Sequence, residues 1–515
     1  MIPNIRRLAG YLLLAFAVVS GGITWWQVAD AQQLAARSDN PQVIAARRSA
    51  LRGTIFDSRG VALATSRVIS GLSRRTYLDT AFSHVIGYSS LRYGTTGLEA
   101  AYDDLLTGRA DTNPLNAVFD DILGRQPQPK DLTLTIDKRL QDFAAGQLGG
   151  QTGAIVAIDP RTGAILAMTS TPTFNATPIS GDPDAAAAPM AALQASPGKP
   201  LIDRSRQGVY TPGSIMKVVT ASAALDSGAI TPSTTFPDQP KEETSGFKVS
   251  GFTIREHDLG GLQPALWPLS EAIQVSSNIF FAHVGLEVGA ERYLDYAKRF
   301  GFCAPLQIGS GSRTLSASAS YVTKRAADGG CSPFQDKVEL ASAAFGQAQV
   351  NVTPLQMALV AATVADDGVM PDLYVVRDIR AHADDPTKGP KGALIESTSP
   401  SSGQRVISSQ AASEVRQAMV DAVQGPLGHI YAGSGAVSLY GVGGVSTAGK
   451  TGTAQRSGNL APHSWFIGFA PAQGGATPAI AVAVIVEGGG AGSGKAAPIG
   501  GQVMAEWLKL LSATP

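Results

Sequence analysis

"GGVSTAGKTGTAQ", residues 443–455, fits two patterns that belong to different folds. From Gly444 it reads glycine, four residues, then Gly449, Lys450 and Thr451, the phosphate-cradling P-loop of a parallel α/β sheet. From Lys450 it reads Lys-Thr-Gly, a triplet that works on a strand beside a nucleophilic serine. What surrounds Lys450 separates the two. A P-loop needs a strand before it, a helix after it and further βα units. "VSLYGVGG", residues 437–444, supplies a strand, but the chain from Thr451 to Gly458 is β-branched and glycine-containing, material for strand and turn rather than helix. Beyond it come "SWFIGFAP", "AIAVAVIVEGG" and one closing helix, an antiparallel pattern. Lys450 therefore belongs on a strand lining a cleft.

A lysine in that position needs a serine and a base. Ser-x-x-Lys occurs three times, at 196–199, 214–217 and 245–248. Pro197 and Gly198 exclude a helix from the first, and Gly246 interrupts the third within a polar run. The middle one lies in "YTPGSIMKVVTASAALDSG", residues 210–228, where Ile215, Val218, Val219, Ser222 and Leu225 recur at helical spacing and Gly228 closes the run. Pro212 suits the first turn, which puts Ser214 near the helix N-terminus and Lys217 one turn on, on the same face. A serine hydroxyl is a poor nucleophile until a base takes its proton, and a lysine does so only if burial or another cation lowers its pKa.

A third element, Ser-x-Asn, completes the set. Ser38-Asp39-Asn40 stands too near the N-terminus, and Ser457-Gly458-Asn459 follows the Lys-Thr-Gly. Between Lys217 and Lys450 the asparagines are Asn278 and Asn351, and Asn351 has Gln349 where serine is required. Ser276-Ser277-Asn278 remains, between "LSEAIQV" and "IFFAHVGLEVG", a helix-to-helix junction. There Ser276 relays a proton to a leaving amine and the Asn278 amide holds a carbonyl. The Lys450 ammonium attracts a substrate carboxylate and helps keep Lys217 unprotonated. Thr451 and Thr453, on either side of Gly452, offer hydroxyls to the same carboxylate. The backbone N–H groups of Thr453 and Ser214 form an oxyanion hole.

Composition narrows the setting. At 515 residues the chain is long enough for two or three domains, and 41 basic against 41 acidic residues leave no charge excess for a nucleic-acid partner. After Arg6 and Arg7, residues 8–29 carry no charge, enough to cross a bilayer with the arginines on the cytoplasmic side and the remainder exported. The alternative is a cleaved signal at Ala29-Asp30-Ala31. An exported protein meets little ATP, which weighs further against the P-loop. In that compartment Cys303 and Cys331 are free to pair, and two buried thiols are the equal alternative. Neither a Gly-x-Ser-x-Gly elbow nor a His-Glu-x-x-His helix occurs, and the reading calls for no metal and no cofactor. His463 reads as a turn histidine ahead of a strand.

The organisation is α+β. "LRGTIFDSRGVALATS", residues 51–66, reads as two short strands about a turn, and residues 96–108 as a helix closed by Gly108. "TGAIVAIDPRTGAILAMTS", residues 152–170, is a hairpin whose strands share a sheet with those at the chain end. Residues 181–200 and 381–392 read as surface loops. The boundaries drawn are 1–30 for a cytoplasmic stub and anchor, 31–140 for an N-terminal pedestal, and 141–515 for the catalytic domain.

With its three motifs placed, the chain resembles a class B penicillin-binding protein, and among these the penicillin-binding protein A type of actinobacteria. The likeness lies in "GYSSLRYGTTGLEAAYDDLLTG", "AIDPRTGAILAMTSTPTFN", "YTPGSIMKVVT", "GQAQVNVTPLQMALVAATVADDG", "STAGKTGTAQ" and "HSWFIGFAPAQ", in order over most of residues 50–512. The resemblance implies the penicillin-binding transpeptidase fold, a five-stranded antiparallel sheet flanked by helices, with a helical subdomain, on an elongated pedestal. It also implies a reaction, in which Ser214 attacks the penultimate D-alanine carbonyl of a stem peptide, releases the terminal D-alanine and passes the acyl group to an amine of a neighbouring stem peptide. β-Lactams would acylate the same serine. With no glycan-polymerising domain ahead of the pedestal, a polytopic membrane polymerase is the implied partner. "RGTIFDSRG" departs from the family in having Ser58-Arg59 where Arg-Asn is more usual. The rival readings are a β-lactamase or D,D-carboxypeptidase on the same fold, and a non-catalytic β-lactam sensor or scaffold.

Overall fold

The structure, a computed structural model, describes residues 2–28, 51–69, 72–109, 128–259, 261–428, 445–456, 458–473 and 475–513. The strand read at 437–444, the Ala29-Asp30-Ala31 site, Ser38-Asp39-Asn40 and Ser457 lie outside the described residues.

The expected hairpin forms from Gly153–Ile158 and Ile165–Thr171, turned at Asp159, whose carboxylate accepts the Arg161 N–H at 3.0 Å. Ile480–Val486 pairs antiparallel with Gly153–Ile158, His463–Ala470 follows it, and Ala448–Ala454 closes a five-stranded sheet as its edge. These strands read as almost unbroken apolar runs because both faces are covered. Ala154, Val156 and Ile158 join one core with the helix Pro354–Ala365, while Ile155 and Ala157 join another with the helices Lys138–Leu148 and Ala496–Ser512. Side chains alternate across a strand, so a sheet between two helical layers must be apolar at every position. Helices Lys217–Asp226, Leu269–Val275, Asn278–Val288 and Ser409–Gln424 pack beyond the Lys450 edge as a helical subdomain.

The N-terminal part is built on a second, mixed sheet in the order Leu394–Ser397, Val376–Ala381, Lys130–Leu134, Ile55–Phe56, Ala62–Ile69, Leu72–Tyr77. The turn at residues 57–60 is held as expected, with the Asp57 carboxylate accepting the N–H groups of Arg59 at 2.9 Å and Val61 at 2.7 Å. Two strands from far along the chain complete this sheet, a pairing that sequence reading did not foresee. Beneath it the fully buried Glu99 takes Arg52 at 2.8 Å and Arg75 at 2.6 Å.

Other expectations change in detail. Residues 96–108 form two short helices, Gly97–Ala101 and Asp103–Leu106, broken at Tyr102, with Leu98, Tyr102, Leu105 and Leu106 on the buried side. Residues 181–200 are not loop throughout, for Ala187–Ala195 is a helix that buries Met190. The alanine run favours helix and one anchoring side chain fixes it, which outweighs the Pro and Gly that bound the segment. Cys303 and Cys331 form a disulfide. The N-terminal helix Ile2–Val28 contains a stretch, Asn4–Trp25, long and apolar enough to cross a membrane, with none of it buried in the protein.

Candidate active site

The Ser214 turn is fixed by backbone crowding. Gly213 adopts φ +58°, and Gly213–Met216 makes one 3-10 turn that runs into the helix Lys217–Asp226. The Gly213 N–H donates to the Gly346 carbonyl at 3.1 Å, and a Cβ on Gly346 would lie 1.9 Å from the Gly213 carbonyl oxygen. A Cβ on Gly213 itself would meet the Thr453 carbonyl at 3.0 Å, and one on Gly452 the Pro212 carbonyl at 2.8 Å. Only glycine permits these approaches. They press the serine turn against the Lys450 strand and leave Ser214 half-exposed at its tip.

Lys217 lies one turn below Ser214, fully buried. Its Nζ stands 3.1 Å from Ser214 Oγ, 2.9 Å from Asn278 Oδ1 and in contact with the Ser276 carbonyl. The last two are acceptors only. A neutral amine has two N–H bonds and one lone pair, so with both carbonyl oxygens satisfied the lone pair is left for a serine hydroxyl, Ser214 Oγ at 3.1 Å or Ser276 Oγ at 3.3 Å. Burial first, then the neighbouring Lys450, hold the Lys217 pKa well below that of an ordinary lysine, while Glu256 acts in the opposite sense. That combination makes the neutral amine available as a base.

Ser276 terminates the helix Leu269–Val275 in a left-handed conformation, φ +60°, and Ser277 caps the helix Asn278–Val288 by accepting the Phe280 N–H at 3.1 Å. The helix-to-helix junction read from sequence is therefore present. Ser276 Oγ sits between the two lysines, 3.3 Å from Lys217 Nζ and 2.9 Å from Lys450 Nζ. Lys450 lies mid-strand, 3% exposed, and burial lowers its pKa to about 7. Thr451 is half-buried, Gly452 buried and Thr453 exposed with its Oγ1 accepting the Gly492 N–H at 3.3 Å. Ser214, Lys217, Ser276, Asn278, Lys450 and the Thr451–Thr453 strand thus converge on one place. Beside it opens a cavity of about 680 Å³, bordered by Arg255, Asn278, Glu339, Phe345 and Gln455.

The alternatives weighed on the sequence separate cleanly. Lys199 lies in a turn, φ +48°, with its N–H donating to Ser196, and Ser245 and Lys248 fall on a helix end and a short strand either side of Gly246. Lys450 lies inside the strand Ala448–Ala454 rather than at the start of a helix, and that strand is antiparallel to its neighbour, which excludes a P-loop. His463 begins its strand, its Nδ1 accepting the Gly488 N–H at 3.3 Å and its ring edge-on to Tyr210, a structural role. Among the described residues no acidic, histidine and cysteine cluster fits a metal.

Sequence reading missed two contributors. Gly346 shapes the serine turn from far along the chain, in a segment without catalytic pattern. Glu256, after the short strand Phe252–Ile254, sits behind Ser277 and Asn278 with its side chain 3% exposed. No motif marks it; a lone acid between a strand and a glycine-containing loop reads as surface.

A half-buried serine, a fully buried lysine with depressed proton affinity beside it and a second buried lysine on a strand edge, set where an antiparallel sheet meets a helical subdomain, define a serine acyltransferase. The model of the penicillin binding protein transpeptidase domain matches residues 153–505, and that of the penicillin binding protein A dimerisation domain matches residues 52–132. The chain is 32% identical to peptidoglycan D,D-transpeptidase PbpA of Mycolicibacterium smegmatis over 99% of each chain, and 31% identical to PbpA of Mycobacterium tuberculosis over 98% of each. The structure of penicillin-binding protein A from M. tuberculosis as its penicillin G acyl-enzyme complex superposes with a TM-score of 0.74 at 31% identity, covering 89% of this chain and all of that one. The chain belongs to the penicillin-binding protein transpeptidase family.

Proposed function

We propose that this protein is a membrane-anchored peptidoglycan D,D-transpeptidase that β-lactams acylate and inhibit. The observation that carries the reading is Lys217: buried, bonded to Asn278 Oδ1 and the Ser276 carbonyl, and 3.1 Å from Ser214 Oγ. In acylation Lys217 takes the Ser214 proton as Oγ attacks the penultimate D-alanine carbonyl of a stem peptide ending in D-Ala-D-Ala. The oxyanion forms against the backbone N–H groups of Ser214 and Thr453. The proton held by Lys217 passes to Ser276 Oγ, 3.3 Å away, as Ser276 gives its own proton to the departing D-alanine amine and the C–N bond breaks, which leaves both groups neutral. Asn278 orients the peptide, and Lys450 with Thr451, Gly452 and Thr453 receives the terminal carboxylate, whose arrival restores the Lys450 charge that burial had weakened. An amine of a second stem peptide then attacks the ester, its proton passes back to Ser214, and the cross-link forms.

The pairing of catalytic and dimerisation-domain matches with an apolar N-terminal helix supports a division into an anchor at residues 1–30, a pedestal at 31–140 and a catalytic domain at 141–515. Arg6 and Arg7 before the apolar stretch support a cytoplasmic N-terminus and an extracytoplasmic catalytic domain. A polytopic membrane enzyme that polymerises glycan would supply the strands to be cross-linked.

The test is mass spectrometry of the intact chain after brief incubation with benzylpenicillin, beside Ser214→Ala. The expected result is one adduct on the unmodified protein, mapped to the Ser214 peptide and persisting for hours. Rapid turnover of the antibiotic would instead identify a hydrolase, and no adduct with the antibiotic intact would refute acyl-serine chemistry.

A further inference from the structure

Glu256 stands where the Ser276-Ser277-Asn278 segment is held from behind. Its Oε1 accepts the Asn278 N–H at 2.7 Å and faces His257 Nδ1 at 2.7 Å, and its Oε2 accepts the Ile279 N–H at 3.0 Å and the Ser277 hydroxyl at 2.7 Å. The helix Asn278–Val288 therefore begins on a buried carboxylate that takes two of its unsatisfied N–H groups, an arrangement favoured by the positive end of the helix dipole. The same segment carries both acceptors of Lys217 and the left-handed Ser276, a conformation that persists only where surrounding bonds enforce it. Ser277 has no hydrogen to spare for a second strong bond, for its hydroxyl is contested by Glu243 at 3.2 Å.

The charge is also placed to act. Burial alone would raise the Glu256 pKa, but the hydrogen bond and charge of His257, the charge of Lys217 and the Asn278 N–H bring it down to about 2, so the group is a carboxylate throughout the working range. The groups facing it are His257 from its own loop, Lys217 from the serine helix and Glu243 from the helix Gln239–Ser245. Lys217 in turn faces Lys450 from the sheet and Glu256 from this loop. Lys217 thus stands between a like charge and an opposite one: Lys450 favours its neutral form and Glu256 its protonated form.

We propose that Glu256 is a positioning residue for acylation, which fixes the Ser276–Asn278 segment through the amides of Asn278 and Ile279 and thereby holds in place the two acceptors that orient the Lys217 amine. The role rests on the transpeptidase reading of Ser214 and Lys217. A group that only stabilised the fold would change the rate at every pH alike. A group that also tunes Lys217 moves the acid limb of the pH profile.

The test is the second-order rate of acylation of the full-length chain by a fluorescent penicillin, from about pH 5.5 to about pH 10, for the unmodified protein, Glu256→Gln and Glu256→Asp. Glu256→Gln sets an amide NH₂ against backbone donors and removes the charge. Its plateau rate should fall by roughly tenfold to a hundredfold, and its acid limb should move to lower pH by about half a unit or more, because Lys217 loses the charge that favoured its protonated form. Glu256→Asp keeps the charge on a shorter arm, so its limb should stay in place while its plateau falls. An unmoved limb or an undiminished plateau in Glu256→Gln overturns the proposal. Should that variant not fold, an undiminished plateau or a moved limb in Glu256→Asp overturns it. Failure of the unmodified protein to acquire an adduct on Ser214 would be a separate result, removing the reading on which the role depends.

Discussion

At the scale of single residues the site is a problem of two lysines that cannot both be charged. Lys217 and Lys450 share Ser276 Oγ, both are buried, and burial has brought Lys450 to about 7. Lys450→Ala removes one of the two causes that depress Lys217, so the Lys217 pKa rises and the acid limb of acylation moves to higher pH, opposite to the shift expected for Glu256→Gln. The lost carboxylate contact should also slow acylation by roughly tenfold to a hundredfold at the plateau. A limb that stays where it was would show that the lysines are not coupled. Stability supplies an independent check. A lysine whose pKa is near 7 in the folded state and ordinary in the unfolded chain leaves the unfolded chain with more protons between those values. Stability therefore rises with pH across that window and levels off above it. Lys450→Met should raise the melting temperature at pH 7 and flatten that rise, as thermal denaturation in a series of buffers will show.

At the scale of elements the question is what holds the serine turn to the strand it works with. Gly346 has φ +86° and leaves no room for a side chain, its added Cβ falling 1.9 Å from the Gly213 carbonyl oxygen. Gly346→Ala should cost about 2–4 kcal/mol from left-handed strain and overlap together. It should also lower acylation more than its stability loss explains, since the turn it displaces carries Ser214. A variant that melts early yet acylates at the normal rate would show that the turn is held by other contacts.

This element also shows what was legible in the sequence. Ser214 and Lys217 are one turn apart, Ser276 and Asn278 span one junction, and Lys450 to Thr453 occupy one strand, so each group is local and its placement on a helix, junction or strand is readable from the sequence. The sheet was legible for the same reason, because strands buried on both faces advertise themselves as apolar runs. Glu256 and Gly346 were not, since each acts through backbone groups of another segment, Glu256 at 22 residues' distance. The Ala187–Ala195 helix departs from the loop expected at 181–200 because its alanine-rich interior outweighs the flanking Pro and Gly. The pairing of Val376–Ala381 with Lys130–Leu134 carries no local signal at all, for a strand's sequence does not name its neighbour.

At the scale of the molecule that pairing decides how the pedestal and the catalytic part behave. Val376–Ala381 and Leu394–Ser397 leave the catalytic chain to complete the pedestal sheet, and side chains stitch the seam: Arg313 to Asp104 at 2.8 Å, His382 to Asp131 at 2.7 Å, Tyr77 N–H to Thr177 Oγ1 at 2.9 Å and Ser83 Oγ to the Phe174 carbonyl at 2.6 Å. Unfolding the pedestal alone would bare the edge of Val376–Ala381 and leave His382 without the Asp131 carboxylate and Arg313 without Asp104. The bared strand edge carries backbone groups that the shared sheet had paired, and unmet hydrogen bonds there are costly. Ordinary domains joined by a small polar interface melt separately. Here a shared sheet makes partial unfolding costly, so calorimetry of the full-length protein in detergent should show one cooperative transition, with calorimetric and van't Hoff enthalpies in agreement. Binding of a β-lactam at Ser214 should then raise the temperature of the whole transition. Two resolved transitions, only the upper of which responds to the antibiotic, would mean that the seam is weak and that the pedestal is free to move against the cleft. One transition would mean that any load a partner places on the pedestal reaches the catalytic sheet directly, through the strand Val376–Ala381.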